Sequence, residues 1–317
     1  MQDAESPRTD RGLFRWSVFA VAWALLLLFA GANVTTTRSG DAVPSWPEPL
    51  FPRDFSTPAL IEWTHRGIAA WMGAFTLVLA VWTQRRDRRG AVRKLAWACL
   101  ALVVVQALVG WVRVKLVYDG IDSTPTWAKV LHALTAEAYF CALVALSTVL
   151  APWWTRAEPP RGLDASAMST IRMSAIGTLL LFVQALLGAL ARHEVLPREV
   201  HAFFALPALV VVARLVLVAG WDLPADCREI RRPANLLGVL AAAQLALGLV
   251  SYFVAAGGPR PEDRDATQVV LMNLHLAVGA AMLGTTLSIL MRAVRVFGAP
   301  TDERVAEAER AAAGSAS

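Results

Sequence analysis

Apolar runs long enough to cross a bilayer recur eight times in the 317-residue chain, at 14–34, 61–82, 95–114, 127–150, 170–190, 199–219, 234–256 and 268–291. At about 1.5 Å per residue, a run of about 20 residues covers a hydrocarbon core of about 30 Å. Backbone polar groups find no water there, so only helices or a closed barrel can span it. The runs are continuous and lack the period of two that barrel strands show, which predicts helices. Composition agrees, with 56% hydrophobic and 17% charged residues, against about 45–50% and about 25% in soluble domains. Disorder is excluded and an ordinary soluble enzyme disfavoured. The first run follows Arg8, Arg11 and Arg15, as a signal peptide would, but it is long for such a segment and reads as a helix.

The net charge of +5 is explained by its placement rather than by nucleic acid. With the N-terminus inside, the inner segments hold nineteen of the thirty Lys and Arg, notably the six between Arg85 and Lys94. The outer segments hold nine: Arg38, Arg53, Arg113, Lys115, Lys129, Arg192, Arg198, Arg260 and Arg264. This bias predicts a multi-pass protein of the inner (cytoplasmic) membrane with both termini cytoplasmic, and a weak attraction to anionic lipid. Residues 35–60 carry five prolines among Trp46, Leu50 and Phe51, and are expected to form an ordered lid on the outer face. The tail after Ala299 is expected to be a frayed helix. Cys99, Cys141 and Cys227 form no CxxC and no close pair, which argues against a disulfide framework or a thiolate zinc site.

A phrase recurs on the odd-numbered spans: Gln106-Ala-Leu-Val-Gly110, Gln184-Ala-Leu-Leu-Gly188 and Gln244-Leu-Ala-Leu-Gly248. Residues four apart share a helix face, and glycine there admits a neighbouring helix or a planar ligand. The repeat predicts an all-α membrane protein of eight transmembrane helices, built as two tandem four-helix bundles. Their pseudo-two-fold axis would run along the membrane normal, because four spans return the chain to its starting side. The bundles would occupy residues 1–160 and 161–317, the second including a cytoplasmic tail.

Four of the five histidines, His65, His132, His201 and His275, fall on spans two, four, six and eight, all near the outer ends. Two imidazoles facing each other inside a four-helix bundle suit axial ligation of haem iron. Zinc fits less well, since no carboxylate or thiolate completes a tetrahedral set. His193 lies in the short outer loop 191–199 and is expected to be solvated. Glu62 precedes His65 by three residues and so shares its helix face, while the matching place before His201 is Arg198. The N-terminal half is therefore the better candidate for chemistry, with Glu62 holding or passing protons or stabilising a developing cation. A salt bridge to Arg66 at i+4 is the plainer account of the same residue. Arg66, Arg113 and Arg192 could pair with haem propionates or snorkel to the interface.

Glu62-Trp-Thr-His-Arg66, the histidines on alternate helices, Ser39-Gly40 with Pro44-Ser-Trp46-Pro47, and the Gln-x-x-x-Gly phrases together resemble the haem A synthases over about residues 15–292. The resemblance implies an enzyme that oxidises the C8 methyl of haem O to the formyl of haem A for cytochrome oxidase. It implies that the N-terminal half takes haem O through His65 and His132, with Glu62 needed for turnover, and that the C-terminal half holds haem b between His201 and His275. Implied partners are the haem O synthase that supplies substrate, the cytochrome oxidase assembly machinery and an electron donor or acceptor not legible here. Many bacterial relatives carry a cysteine pair in the first outer loop; Val43 and Pro49 stand at those places. Thiol chemistry there is excluded, and a paralogue with altered haem substrate stays open. The alternatives are a two-haem b electron carrier, which leaves Glu62 unexplained, and a transporter using the histidines as a proton relay.

Overall fold

The computed structural model describes residues 10–40, 42–43, 54–118, 124–155, 161–257 and 263–298. Among these residues there are eight α-helices, one short π-helical turn and no β-strand. The helices are α1 (Arg11–Thr36), α2 (Thr57–Arg86), α3 (Gly90–Tyr118), α4 (Thr126–Leu150), α5 (Ala165–Arg192), α6 (Arg198–Leu217), α7 (Arg228–Gly257) and α8 (Ala266–Phe297). The turn, Val218–Asp222, continues α6. All eight are long and apolar enough to cross a membrane, and the chain is a multi-pass membrane protein.

Six of the eight helices overrun their apolar run at both ends, and α6 does so once the turn that continues it is counted. Hydropathy marks the part inside hydrocarbon, whereas the hydrogen-bond ladder continues into the polar boundary until a cap ends it. Asp10 accepts from the N–H groups of Gly12 and Leu13 to start α1, and Asp164 accepts from Ala167 to start α5. Asp265 and Gln268 form a reciprocal capping box on α8. Proline starts three more: Pro58 opens α2, and Pro125 and Pro197 stand just before α4 and α6. Arg38 and Glu194, both at positive φ, close α1 and α5 in the same manner. In each case an N–H just beyond, Ser39 or Val195, reaches back five residues.

α1 packs on α2 and α4, and α3 on α2 and α4; α5 packs on α6 and α8, and α7 on α6 and α8. α8 also packs on α1 and α4, and α4 on α5, which joins the two sets. α4 and α8 are the most enclosed spans and α7 the least (39% against 6% of the apolar window buried), so the first two form the centre. Small residues allow this closeness: a Cβ on Gly284 of α8 would lie 2.9 Å from the Phe140 ring and 3.0 Å from Val144 of α4. Side chains such as Phe203, Trp221 and Phe253 stay exposed, as lipid contact requires.

The outer loop is described only at its ends, so Trp46, Leu50 and Phe51, like the tail after Ala299, lie outside the described residues. Whether the loop forms a lid therefore stays an expectation.

Candidate functional site

Each of the four span histidines lies in the first third of its helix and meets a glycine on the last third of the preceding one. A Cβ on Gly31 would stand 3.1 Å from Cε1 of His65, and one on Gly110 3.3 Å from Cε1 of His132. The distances are 3.0 Å for Gly188 on His201 and 3.1 Å for Gly248 on His275. Helix-to-helix contact at this range needs glycine, because any side chain would displace the ring. The recurring glycine thus seats an imidazole edge. Gly31 belongs to this set although its helix lacks the glutamine of the repeated phrase.

Glutamine acts one turn deeper. Gln106 Nε2 donates to the His132 carbonyl at 2.9 Å while its Oε1 accepts from the Thr135 hydroxyl. Gln184 Nε2 donates to the His201 carbonyl at 2.9 Å. Gln244 reaches the ring itself, its Nε2 3.5 Å from Nε2 of His275. On α1 the matching residue is Leu27, which packs in the apolar core.

His201 and His275 face each other with ring centroids 6.3 Å apart and planes at 87°. Two metal–nitrogen bonds of about 2 Å, with the ring radii added, fill that separation. His65 and His132 lie within electrostatic reach of each other, without a comparable ring contact among the described residues. Nδ1 of all four rings is buried without a hydrogen-bond partner. Among the described residues no three His, Cys, Asp or Glu side chains gather as a metal cage. Paired imidazoles on glycine seats fit a haem, whose macrocycle supplies the other four nitrogens, better than a bare ion.

Glu62 is only 4% exposed. Its Oε1 accepts from Arg66 at 2.6 Å and its Oε2 from the Val43 N–H at 2.7 Å, while Arg66 also donates to the Val43 carbonyl at 2.8 Å. The salt bridge expected at i+4 is present. Arg66 and the loop backbone hold the carboxylate one turn before His65 on the same helix. Val43 is thereby fastened to α2.

The helix ends nearest the histidines are strongly basic. Arg113 lies within electrostatic reach of His65 and His132, and Arg192 within reach of His275 and Arg264. Arg198 stands beside Glu199 at 3.9 Å. His193 is not the solvated residue expected. It follows the last residue of α5 and is half-buried. Burial, and then the positive charges of Lys129, Arg192 and Arg113, push its pKa down to about 4. Its place in the sequence does not reveal this burial.

A polar seam joins the halves. Thr36 donates to Asn273 Oδ1 at 2.7 Å, Asn273 Nδ2 to Asn33 Oδ1 at 3.2 Å, and Arg192 to the Thr36 hydroxyl at 3.1 Å. These residues were missed in sequence. The only cue was two asparagines inside otherwise apolar helices.

A family model described as cytochrome oxidase assembly protein (COX15-CtaA) matches residues 49–198. The chain is 28% identical over 193 residues to a heme A synthase of Lysinibacillus sphaericus, covering 58% of this chain and 59% of that protein. A heme A synthase of Shouchella clausii is 32% identical over 105 residues, 32% of this chain and 35% of that one. These matches support a place for the chain in the haem A synthase family. A further relative, named protoheme IX farnesyltransferase, from Thermus thermophilus, is 29% identical over 271 residues, which is 77% of this chain and 43% of that protein. In each case the match spans less than two thirds of the relative's length. The family match covers His65, His132, Glu62 and Arg66 and stops at Arg198, so the C-terminal histidines rest on the glycine seats and the ring pair.

Proposed function

We propose that this haem A synthase family member oxidises the C8 methyl of haem O to the formyl of haem A. The observation that carries the proposal is the histidine geometry: four glycine-seated imidazoles in two pairs, one pair spaced for a single metal between its rings. In this reading the chain is two tandem four-helix bundles, residues 1–160 and 161–317, related by a pseudo-two-fold axis along the membrane normal. Matched seats, Gly31 and Gly110 against Gly188 and Gly248, support it. The histidine sites lie near the outer face and both termini on the cytoplasmic side, in keeping with the basic residues.

His201 and His275 would hold haem b, which supplies one-electron redox chemistry when bound. His65 and His132 would hold haem O as substrate. Arg66, Arg113 and Arg192 would face the propionates, each guanidinium offering a fork that suits a carboxylate. Glu62, held in place by Arg66 and the Val43 N–H, would hold or pass protons as the methyl is oxidised, with Arg66 placing it. Two hydroxylations of the methyl, each taking one oxygen atom from dioxygen while the other leaves as water with two electrons and two protons from an external donor, would give a hydrated aldehyde that loses water to the formyl. Burial of the seats among helices keeps bulk water from the site.

Farnesylated haem is too apolar to travel through water. The Thermus relative, whose name denotes haem farnesylation, has over half its length outside the shared region, which supports direct supply from a haem farnesyltransferase. The product would pass to the cytochrome oxidase assembly machinery. The test is expression with a haem O supply, followed by mass analysis of extracted haems. Hydroxylated and formyl haems are expected, and absence of both would sink the proposal.

A further inference from the structure

The four seats are near copies, so their differences show where one has been altered. His132 is held twice, by Gly110 at its ring edge and by Gln106 at its carbonyl, and Gln106 is itself fixed by Thr135. His201 has the same pair of contacts through Gly188 and Gln184. His275 keeps Gly248 and a glutamine, with Gln244 moved onto the ring and packed on Gly279. Among the described residues, His65 has the glycine contact, to Gly31, without a glutamine bond beside it. Leu27 stands where the glutamine would be and can donate nothing to the His65 carbonyl. Room for a glutamine exists in register, since Ala69 on α2 matches Ala136, Ala205 and Gly279 four residues after each histidine.

A hydrogen bond that ties a ligand's backbone limits how far the ring can swing without breaking it. Where it is missing, the ring is freer to leave. From this comparison we infer that His65 is the exchangeable ligand of the N-terminal haem and His132 the fixed one, with Leu27 and Gln106 as the positioning residues that set the difference. The inference rests on the haem reading above. When another small molecule takes the position, the bond from His65 Nε2 to iron breaks and one from the incoming atom forms, with no change in electron count. The vacated position lies on the Glu62 side, because Glu62 is one turn before His65 on the same helix. The C-terminal haem, with both ligands tied, stays six-coordinate.

Carbon monoxide tests this, since it binds only where a ligand yields. Protein is purified with its haems from cells that make farnesylated haem, reduced with dithionite, and titrated with carbon monoxide by absorption. About half of the haem is expected to bind the gas. Leu27→Gln is expected to slow that binding about tenfold, the scale of one added hydrogen bond, and Gln184→Leu to make the C-terminal haem newly reactive. His65→Ala is expected to keep the N-terminal haem in a high-spin, gas-binding form, whereas His132→Ala loses it. The last pair decides the matter if Leu27→Gln does not fold. Retention of the haem in His132→Ala with its loss in His65→Ala would overturn the assignment, as would an unchanged binding rate in a folded Leu27→Gln. Purified protein without any haem in the N-terminal half would overturn the haem reading itself.

Discussion

The two halves use one device for different ends. Both seat each imidazole on a glycine of the preceding helix. In the C-terminal half the rings meet at 6.3 Å, and each histidine touches a glutamine. In the N-terminal half the rings are not in such contact, one glutamine is replaced by Leu27, and a buried carboxylate is clamped by Arg66 and a loop backbone. The residue three before the histidine is Glu62 on α2 but Arg198 on α6. A tightly matched pair suits a resident group that must not leave. A looser pair beside a carboxylate suits a substrate that must enter, react and depart. On the proposed function, the C-terminal pair would be the holder and the N-terminal pair the reaction chamber.

Variants can break this contrast. The largest effect is expected from His275→Ala, which should lower haem b affinity at least about 100-fold, the upper end of what outer-shell partners cost; His132→Ala should abolish product while haem b remains. Extracted haems, quantified by mass, check both. Glu62→Gln should reduce turnover about 100-fold with haem content unchanged, because the amide oxygen can still accept from Val43 while Arg66 loses its counter-charge. Product formed at the normal rate would remove Glu62 from the chemistry.

Smaller effects follow. Gly188→Ala should weaken haem b binding about tenfold, and Gly110→Ala should disturb its ring less, since its clearance is 3.3 Å rather than 3.0 Å. Alanine is the better helix former by about 1 kcal/mol, so thermal stability should not fall alongside, and a loss of both would point to general misfolding instead. Asn273→Ala should cost about 1–3 kcal/mol by removing the acceptor of the Thr36 hydroxyl and the donor to Asn33 Oδ1 in the seam, read from thermal melting in detergent.

The mildest prediction concerns pH. His193 titrates near 4 in the folded protein, against about 6.5 unfolded, so the fold favours its neutral form. That contribution is fully present above about pH 6.5 and is lost as pH falls toward 4. His193→Gln should flatten the acid side of the melting profile by about 1 kcal/mol, discounted for partial solvent access. Equal acid sensitivity in both proteins would return His193 to the surface.

Much of this was legible in the sequence. Eight apolar runs in a bilayer leave helices as the only choice, and four histidines at matched depth on alternate spans need no structure to be noticed. The i+4 pairing of Glu62 with Arg66 followed from helix geometry alone. Three things did not. The helix ends lie beyond the apolar runs because capping by Asp10, Asp164 and Asp265, not hydropathy, sets them. The glycine seats are contacts between helices, and a one-dimensional pattern shows Gly31 and His65 only as residues 34 apart. His193 and the Asn33–Asn273 seam depend on how α1, α5 and α8 meet, a long-range fact that local periodicity does not carry.

The division of labour between the halves is tested most directly by a haem inventory of the unmodified protein. It is purified once from cells unable to farnesylate haem and once from cells that can, and its haems are counted per chain and identified by mass. The account expects one haem b per chain in the first case, and in the second the same haem b plus a farnesylated haem or its oxidised products. Two haems b per chain without farnesylation, or no haem in either preparation, would contradict it.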